Sequence, residues 1–212
     1  MGTIKKGVLG GFSGKVGSVV GASWKGIDYI RSLPASVRNP RTEGQVSQRT
    51  KFIVALEFLR PIIAYLNVGF KPYASKQSPY NAAMSYNVSN AVTGTFPDFV
   101  MDYPNVLVSR GSLLGAEDAS ATAAAGSIAF AWSNNSGVNN AKETDLAMPL
   151  AFNISKGQAV FKTNGAERSA EADVLTIPAN WSGDDVQLYL GFVSMDGLLV
   201  ASSVYLGQQS IV

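Results

Sequence analysis

Cysteine and histidine are both missing from this sequence. Their absence removes Ser-His-Asp and Cys-His catalysis, thiol redox chemistry, disulfide staples and zinc held by Cys or His. An enzyme built from this chain would have to work through carboxylates, Lys, Tyr or bound magnesium, and no motif points to one, or to a cofactor. Charge is also scarce: Asp, Glu, Lys and Arg make up 15% of residues, against roughly 25% in typical soluble domains. A charge-poor surface suits a protein that is covered by neighbours. No apolar run reaches the ~18 residues of a membrane span, so no span is expected. After Lys5 and Lys6 the chain is broken by Gly10, Gly11, Ser13, Gly14 and Lys15, which leaves no apolar stretch of signal-peptide kind. The expected location is cytoplasmic at synthesis and afterwards inside a virion or similar particle.

What the chain has in excess is glycine at its start. Eight of the first 26 residues are glycine, spaced by Val, Leu, Phe and Trp. A flexible linker would space them with Ser and polar residues instead. Glycine in an apolar, β-branched run marks close backbone approach or a bulge, and this segment reads as an N-terminal β-arm. Val16–Trp24 is expected to pair with Ile27–Leu33 across a tight turn at Lys25-Gly26, with Val16, Val20 and Trp24 on one side. Residues 1–60 carry ten Lys and Arg against three acids, a net of +7, and the remainder seven against twelve, a net of −5. Such asymmetry suits nucleic-acid contact or head-to-tail association. The candidate contact residues, toward other subunits or nucleic acid, are Lys5, Lys6, Val8, Phe12, Lys15, Val16, Val20, Trp24, Lys25, Arg31, Arg38 and Arg41.

Thr42-Glu-Gly-Gln45 has the form of a capping box. Val46, Phe52, Ile53, Leu56, Leu59, Ile63 and Leu66 follow at helical spacing, which predicts one buried face. Pro61 predicts a break near Arg60, and Gly69 a stop. A second helix is expected from Ser78-Pro79 toward Gly94. Beyond about residue 102 the pattern turns to strands: Val106–Ser109, Ser127–Trp132, Leu146–Asn153, Ala159–Thr163, Ala172–Ile177, Val186–Ser194 and Leu199–Tyr205, with Ala116–Ala125 as an exposed loop. The fold class is therefore α+β. A Gly-rich β-arm or hairpin and two helices (1–102) precede a seven-stranded immunoglobulin-like β-sandwich (103–212). Trp132, and Tyr189 following a Trp181-Ser-Gly turn, resemble the core tryptophan and aromatic corner of fibronectin type III domains.

Gly10-Gly-Phe-Ser-Gly-Lys15 is not a phosphate loop, because Leu9 and Val16 stand where glycine and Ser or Thr are needed. No Gly-x-Gly-x-x-Gly frame occurs either. Glu117-Asp118 and Asp184-Asp185 are paired carboxylates of the kind that cap or solvate turns, and Asp184, Asp185 or Asp196 are candidates for a weak calcium site. Phe52, Phe58, Tyr65, Phe70, Tyr73 and Tyr80 are core aromatics, some of them available to a subunit interface.

Lys6-Gly-Val-Leu-Gly-Gly-Phe-Ser-Gly-Lys-Val-Gly-Ser-Val-Val-Gly21, Trp24-Lys-Gly, Arg31-Ser-Leu-Pro34, Asn39-Pro-Arg-Thr-Glu-Gly-Gln45, Gln48-Arg-Thr-Lys-Phe52 and Gly69-Phe70 together resemble an uncharacterised family of similar length. Its members occur in Bacteroides-type bacteria and their phages or prophages. The resemblance covers the whole chain, most strongly its first half, and implies no chemistry. The expectation is a non-enzymatic structural subunit, of phage capsid, decoration or tail kind, that forms homo-oligomers or joins other particle subunits through its arm. The alternatives are a nucleic-acid-binding protein acting through its basic half and a carbohydrate- or surface-binding module using exposed aromatics such as Trp181.

Overall fold

The computed structural model describes residues 2–4, 11–24, 27–36, 39, 41–75 and 77–211. Contacts divide the chain into two compact units, Met1–Thr42 and Glu43–Val212. The division falls before the helices, whereas the composition change in the sequence lies near residue 102.

The first unit is a four-stranded antiparallel sheet of β1 (Thr3–Ile4), β2 (Phe12–Val16), β3 (Val19–Trp24) and β4 (Ile27–Ser32), in that order across the sheet. The predicted hairpin is present, with Trp24 opposite Ile27 and Val19 opposite Ser32. One more reversal precedes it, at Gly17-Ser18. Gly17 has φ +56, a left-handed conformation that glycine adopts without a Cβ clash. That turn places Val16 opposite Val19 and so on the other face from Val20, which separates two residues expected on one side. Gly21 is an example of close backbone approach: a Cβ there would collide with the Phe12 carbonyl oxygen.

The second unit begins with α1 (Glu43–Leu59), a 3-10 turn at Arg60–Ile62 and α2 (Ile63–Gly69). The interruption is where Pro61 demands it, and the stop is at Gly69. α3 (Pro79–Asn90) is capped by Ser78, whose side chain accepts from the Asn81 N–H at 3.1 Å. It ends short of the expected Gly94, because Val92–Thr95 forms β5 and pairs with β6 (Asp98–Met101).

The buried stripe of α1 and α2 is Ala55, Phe58, Leu59, Ile62, Tyr65 and Leu66. Of the predicted buried face, Leu59 and Leu66 belong to it. Phe52, Ile53, Leu56 and Ile63 do not, being between 41% and 53% exposed. The helix is apolar on more than one side, so spacing alone admitted two stripes, and contact with the sheet selected the one containing Ala55 and Tyr65.

The strands that follow are β7 (Glu117–Ala124), β8 (Ser127–Ser133), β9 (Leu146–Asn153), β10 (Gln158–Phe161), β11 (Ala172–Thr176), β12 (Asp185–Val193) and β13 (Val204–Ser210). They form a four-stranded sheet, β10-β9-β12-β13, and a three-stranded sheet, β11-β8-β7. Two expectations are corrected here. Residues 116–125, read as a loop, contain β7: Ala119, Ala121 and Ala123 alternate inward against the core, a period-two signal that alanine conceals. Residues 106–109 are not a strand, although Val106 and Val108 are buried.

The four-stranded sheet is covered on both faces. Met148, Leu150, Phe152, Tyr189 and Val193 share a core with the helices. Ala147, Ala151, Leu188, Leu190 and Phe192 share another with Ile128, Phe130 and Leu175 of the three-stranded sheet. Burial on both faces explains why β9 and β12 read as nearly continuous apolar runs.

Candidate functional site

The predicted contact residues fall mainly on the N-terminal sheet. Phe12 and Val20 are half-buried, while Lys15, Val16, Arg31 and Arg41 are exposed. Trp24 occupies the end of β3. Lys5, Lys6, Val8, Lys25 and Arg38 lie outside the described residues. Register sets Lys15, Val20 and Arg31 side by side across β2, β3 and β4, with Tyr29 two positions from Arg31 on the same face. Among residues 11–23 and 27–36 of this unit only Gly21 is buried. Ile27 and Ile30 are each 65% exposed, and Val16, Tyr29 and Leu33 are also exposed.

Concave surfaces of the second unit include a groove and a cleft. A groove of about 900 Å³ runs along α1, lined by Leu56, Phe58, Val100, Tyr103, Phe152 and Ile154 among others. At its floor the Phe58 ring lies 4.6 Å from Phe152. A cleft of about 440 Å³ contains Arg110 with Gln77, Ser85 and Asn90. The Arg110 guanidinium stands 4.6 Å from the Tyr73 ring and 5.0 Å from that of Tyr86. Sequence reasoning missed Arg110, since nothing local marks a residue whose two aromatic partners come from distant helical segments. The outward face of α1 was missed because its residues were assigned to the core.

The carboxylates are occupied with local structure. Asp184 accepts from Lys156, Asn153 and Ser155, and these bonds, that from Lys156 foremost, hold its pKa below the ordinary carboxylate value. Asp185 accepts from the Ser210 hydroxyl and Asp118 from that of Ser133. Asp196 accepts from the Ser194 hydroxyl and the Leu198 N–H, which lower its pKa likewise. Among the described residues no three acidic side chains converge as a metal site would require. Trp181, proposed as an exposed ligand-binding aromatic, is instead 1% exposed and part of the core.

The deepest polar feature is Arg168, fully buried. It pairs with Asp145 at 3.2 Å and donates to the carbonyls of Leu114 and Gly115 and to Asn135. It ties the 112–115 segment to the sheets. Glu43–Gly69 is a helical stretch long and apolar enough to cross a membrane by length and composition alone. It also supplies Phe58, Leu59, Ile62, Tyr65 and Leu66 to the core, and a core helix meets the same criteria.

A family model described as a family of unknown function, DUF6266, matches residues 11–207. The chain belongs to the DUF6266 family. Comparison of this DUF6266 chain with curated proteins finds no match, and comparison with solved structures finds none either. The matched span includes β2, β3 and β4 as well as the body as far as the first half of β13.

Proposed function

We propose that this protein is a non-enzymatic structural subunit of a larger assembly, of phage-virion type, whose N-terminal sheet acts as an arm against neighbouring subunits. The observation that carries this reading is the exposure of apolar side chains on the first unit. Small folds are held together by apolar burial, whereas across residues 11–23 and 27–36 of this unit only Gly21 is buried. Its exposed Ile27, Tyr29, Ile30 and Leu33 are the side chains a neighbour would cover. The outward stripe of α1, Phe52, Ile53, Leu56 and Ile63, supports the same reading from the second unit.

For the body we propose a fibronectin type III-like sandwich. Lettered from β7 onward, the pairings β11-β8-β7 and β10-β9-β12-β13 correspond to E-B-A and C′-C-F-G, an immunoglobulin-like arrangement. Trp132 on β8 and Tyr189 on β12, both buried, stand on the B and F strands.

Nucleic-acid binding is the second reading, favoured by Lys15, Arg31 and Tyr29 sharing one face of the N-terminal sheet. The carbohydrate-binding reading loses its aromatic with the burial of Trp181. Native mass by light scattering, on the full chain and on a chain lacking residues 1–22, tests the assembly reading. A multimer that collapses on truncation is expected; a monomer at high concentration refutes it. A gel shift at two salt concentrations tests the alternative, since phosphate contacts lose affinity steeply with salt.

A further inference from the structure

We infer that β4 is a self-complementary edge, through which two copies of this chain join their N-terminal sheets by antiparallel β4–β4 pairing about a two-fold axis. The inference rests on the assembly reading above and names its contact.

β4 is the outer strand of the order β1-β2-β3-β4, and all six of its residues are exposed. Proteins guard such edges with Lys, Pro, bulges or covering side chains. The edges of the body carry guards of this kind. The Gln209 side chain bonds the Ala121 carbonyl and the Ala123 N–H on β7, and Lys162 reaches the Val174 carbonyl on β11. β4, Ile27-Asp-Tyr-Ile-Arg-Ser32, contains neither Lys nor Pro, its two charges, Asp28 and Arg31, are of opposite sign rather than a like-charged row that repels a second copy, and its register against β3 runs unbroken from Ile27 to Ser32.

The direction of its free groups follows from one bond. The Leu33 N–H donates to the Ser18 carbonyl at 2.7 Å, so by alternation residues 27, 29, 31 and 33 turn their backbone groups to β3. Asp28, Ile30 and Ser32 therefore turn theirs outward.

Two antiparallel copies of one edge are related by a two-fold axis normal to the sheet, which keeps each face on its own side. Only registers pairing residues of the same face are then allowed. Pairing Asp28 with Asp28, or Arg31 with Arg31, sets like charges opposite one another. Pairing Tyr29 with Tyr29 uses only Asp28 and Ile30 as outward partners and leaves Ser32 unused. Centring the axis on Ile30 uses all three outward residues: Ile30 meets Ile30, and Asp28 meets the Ser32 hydroxyl at both ends, three pairs of two backbone bonds each. On the opposite face the same register sets Tyr29 against Arg31, a cation–aromatic pair, twice. The sequence of β4 thus complements itself in one register, which is the requirement of an isologous contact.

Because the chain has no cysteine, single-cysteine variants of the full-length protein test the register directly. Cα atoms of a hydrogen-bonded pair lie about 5.5 Å apart, within the range a disulfide spans. Under mild oxidation Ile30→Cys should give a covalent dimer and Tyr29→Cys much less. Cross-linking of Tyr29→Cys equal to or above that of Ile30→Cys overturns the register. Ile30→Lys sets two ammonium groups together on the axis and should weaken association by roughly ten-fold or more with unchanged far-ultraviolet circular dichroism, whereas Val174→Lys, on exposed β11, should leave the native mass unaltered. A multimer that Ile30→Lys leaves intact, with no cross-link at position 30, overturns the β4 contact while the assembly reading stands. A wild-type chain that sediments as a monomer at every concentration overturns both.

Discussion

Replacing Arg168 with Met probes the buried polar centre of the body. The guanidinium is wholly buried, its Asp145 partner has 1% of its side chain exposed, and the Phe192 ring lies 4.0 Å from the Arg168 Cζ. Met fills much of the same volume, so the loss is electrostatic rather than a cavity. It leaves the buried Asp145 carboxylate with the Lys142 N–H on Oδ2 as its remaining bond and no partner on Oδ1, and it frees the Leu114 carbonyl, while the Gly115 carbonyl keeps its bond from the Asn135 amide. Breaking a buried ion pair from one side costs about 3–5 kcal/mol, which is a large part of the ~5–15 kcal/mol that separates folded from unfolded domains. Removing both charges, in Arg168→Met with Asp145→Leu, should restore a substantial part of the loss, because the desolvation of an uncompensated carboxylate disappears with it. Urea unfolding followed by tryptophan fluorescence is the assay. Trp132 reports directly, since its indole N–H donates to the Arg168 carbonyl at 2.8 Å. A single-variant loss below about 1 kcal/mol, the value of a surface pair, would refute the reasoning. So would a double variant whose loss equals the sum of the two single losses.

Phe58→Ala should cost about 3–5 kcal/mol, as a buried aromatic does, and Phe52→Ala under ~1 kcal/mol, because they are 3% and 49% exposed; equal losses in urea would contradict the assigned helix faces. Tyr65→Phe removes a bond to the Met148 carbonyl at 2.9 Å and should cost about 1 kcal/mol, measured the same way. Acid should destabilise the body through Asp184 and Asp196. Their folded pKa values lie below the ordinary 3.8, so their contribution is complete above that value and disappears as pH falls through the lowered ones. The urea midpoint of Asp184→Asn should accordingly vary less than that of wild type below about pH 4, and parallel profiles would count against this.

Legibility tracked how local each determinant is. The helix break at Pro61, the cap at Ser78 and the hairpin joining Trp24 to Ile27 depend on residues adjacent in the chain, and all were readable. The reversal at Gly17-Ser18 was hidden because glycine is frequent throughout that segment and the turn is not distinguished by composition. β7 was hidden because alanine fills its inward positions. The candidate contact residues were legible as a basic, glycine-rich segment, whereas the free edge depended on strand order, which places β4 outermost and β2 and β3 inside.

The sequence by itself determined the chemistry that is excluded, since catalysis and metal binding through Cys or His require side chains that do not occur. It also determined the positions where the backbone turns, caps and breaks, because proline, glycine and serine act on their own neighbours. Only the tertiary structure decided which of two apolar stripes on α1 is buried, that β9 and β12 are covered on both faces, and that Trp181 is interior. Each of those outcomes depends on the surface brought against the element by a distant part of the chain, and periodicity records that a face is apolar without recording what it meets.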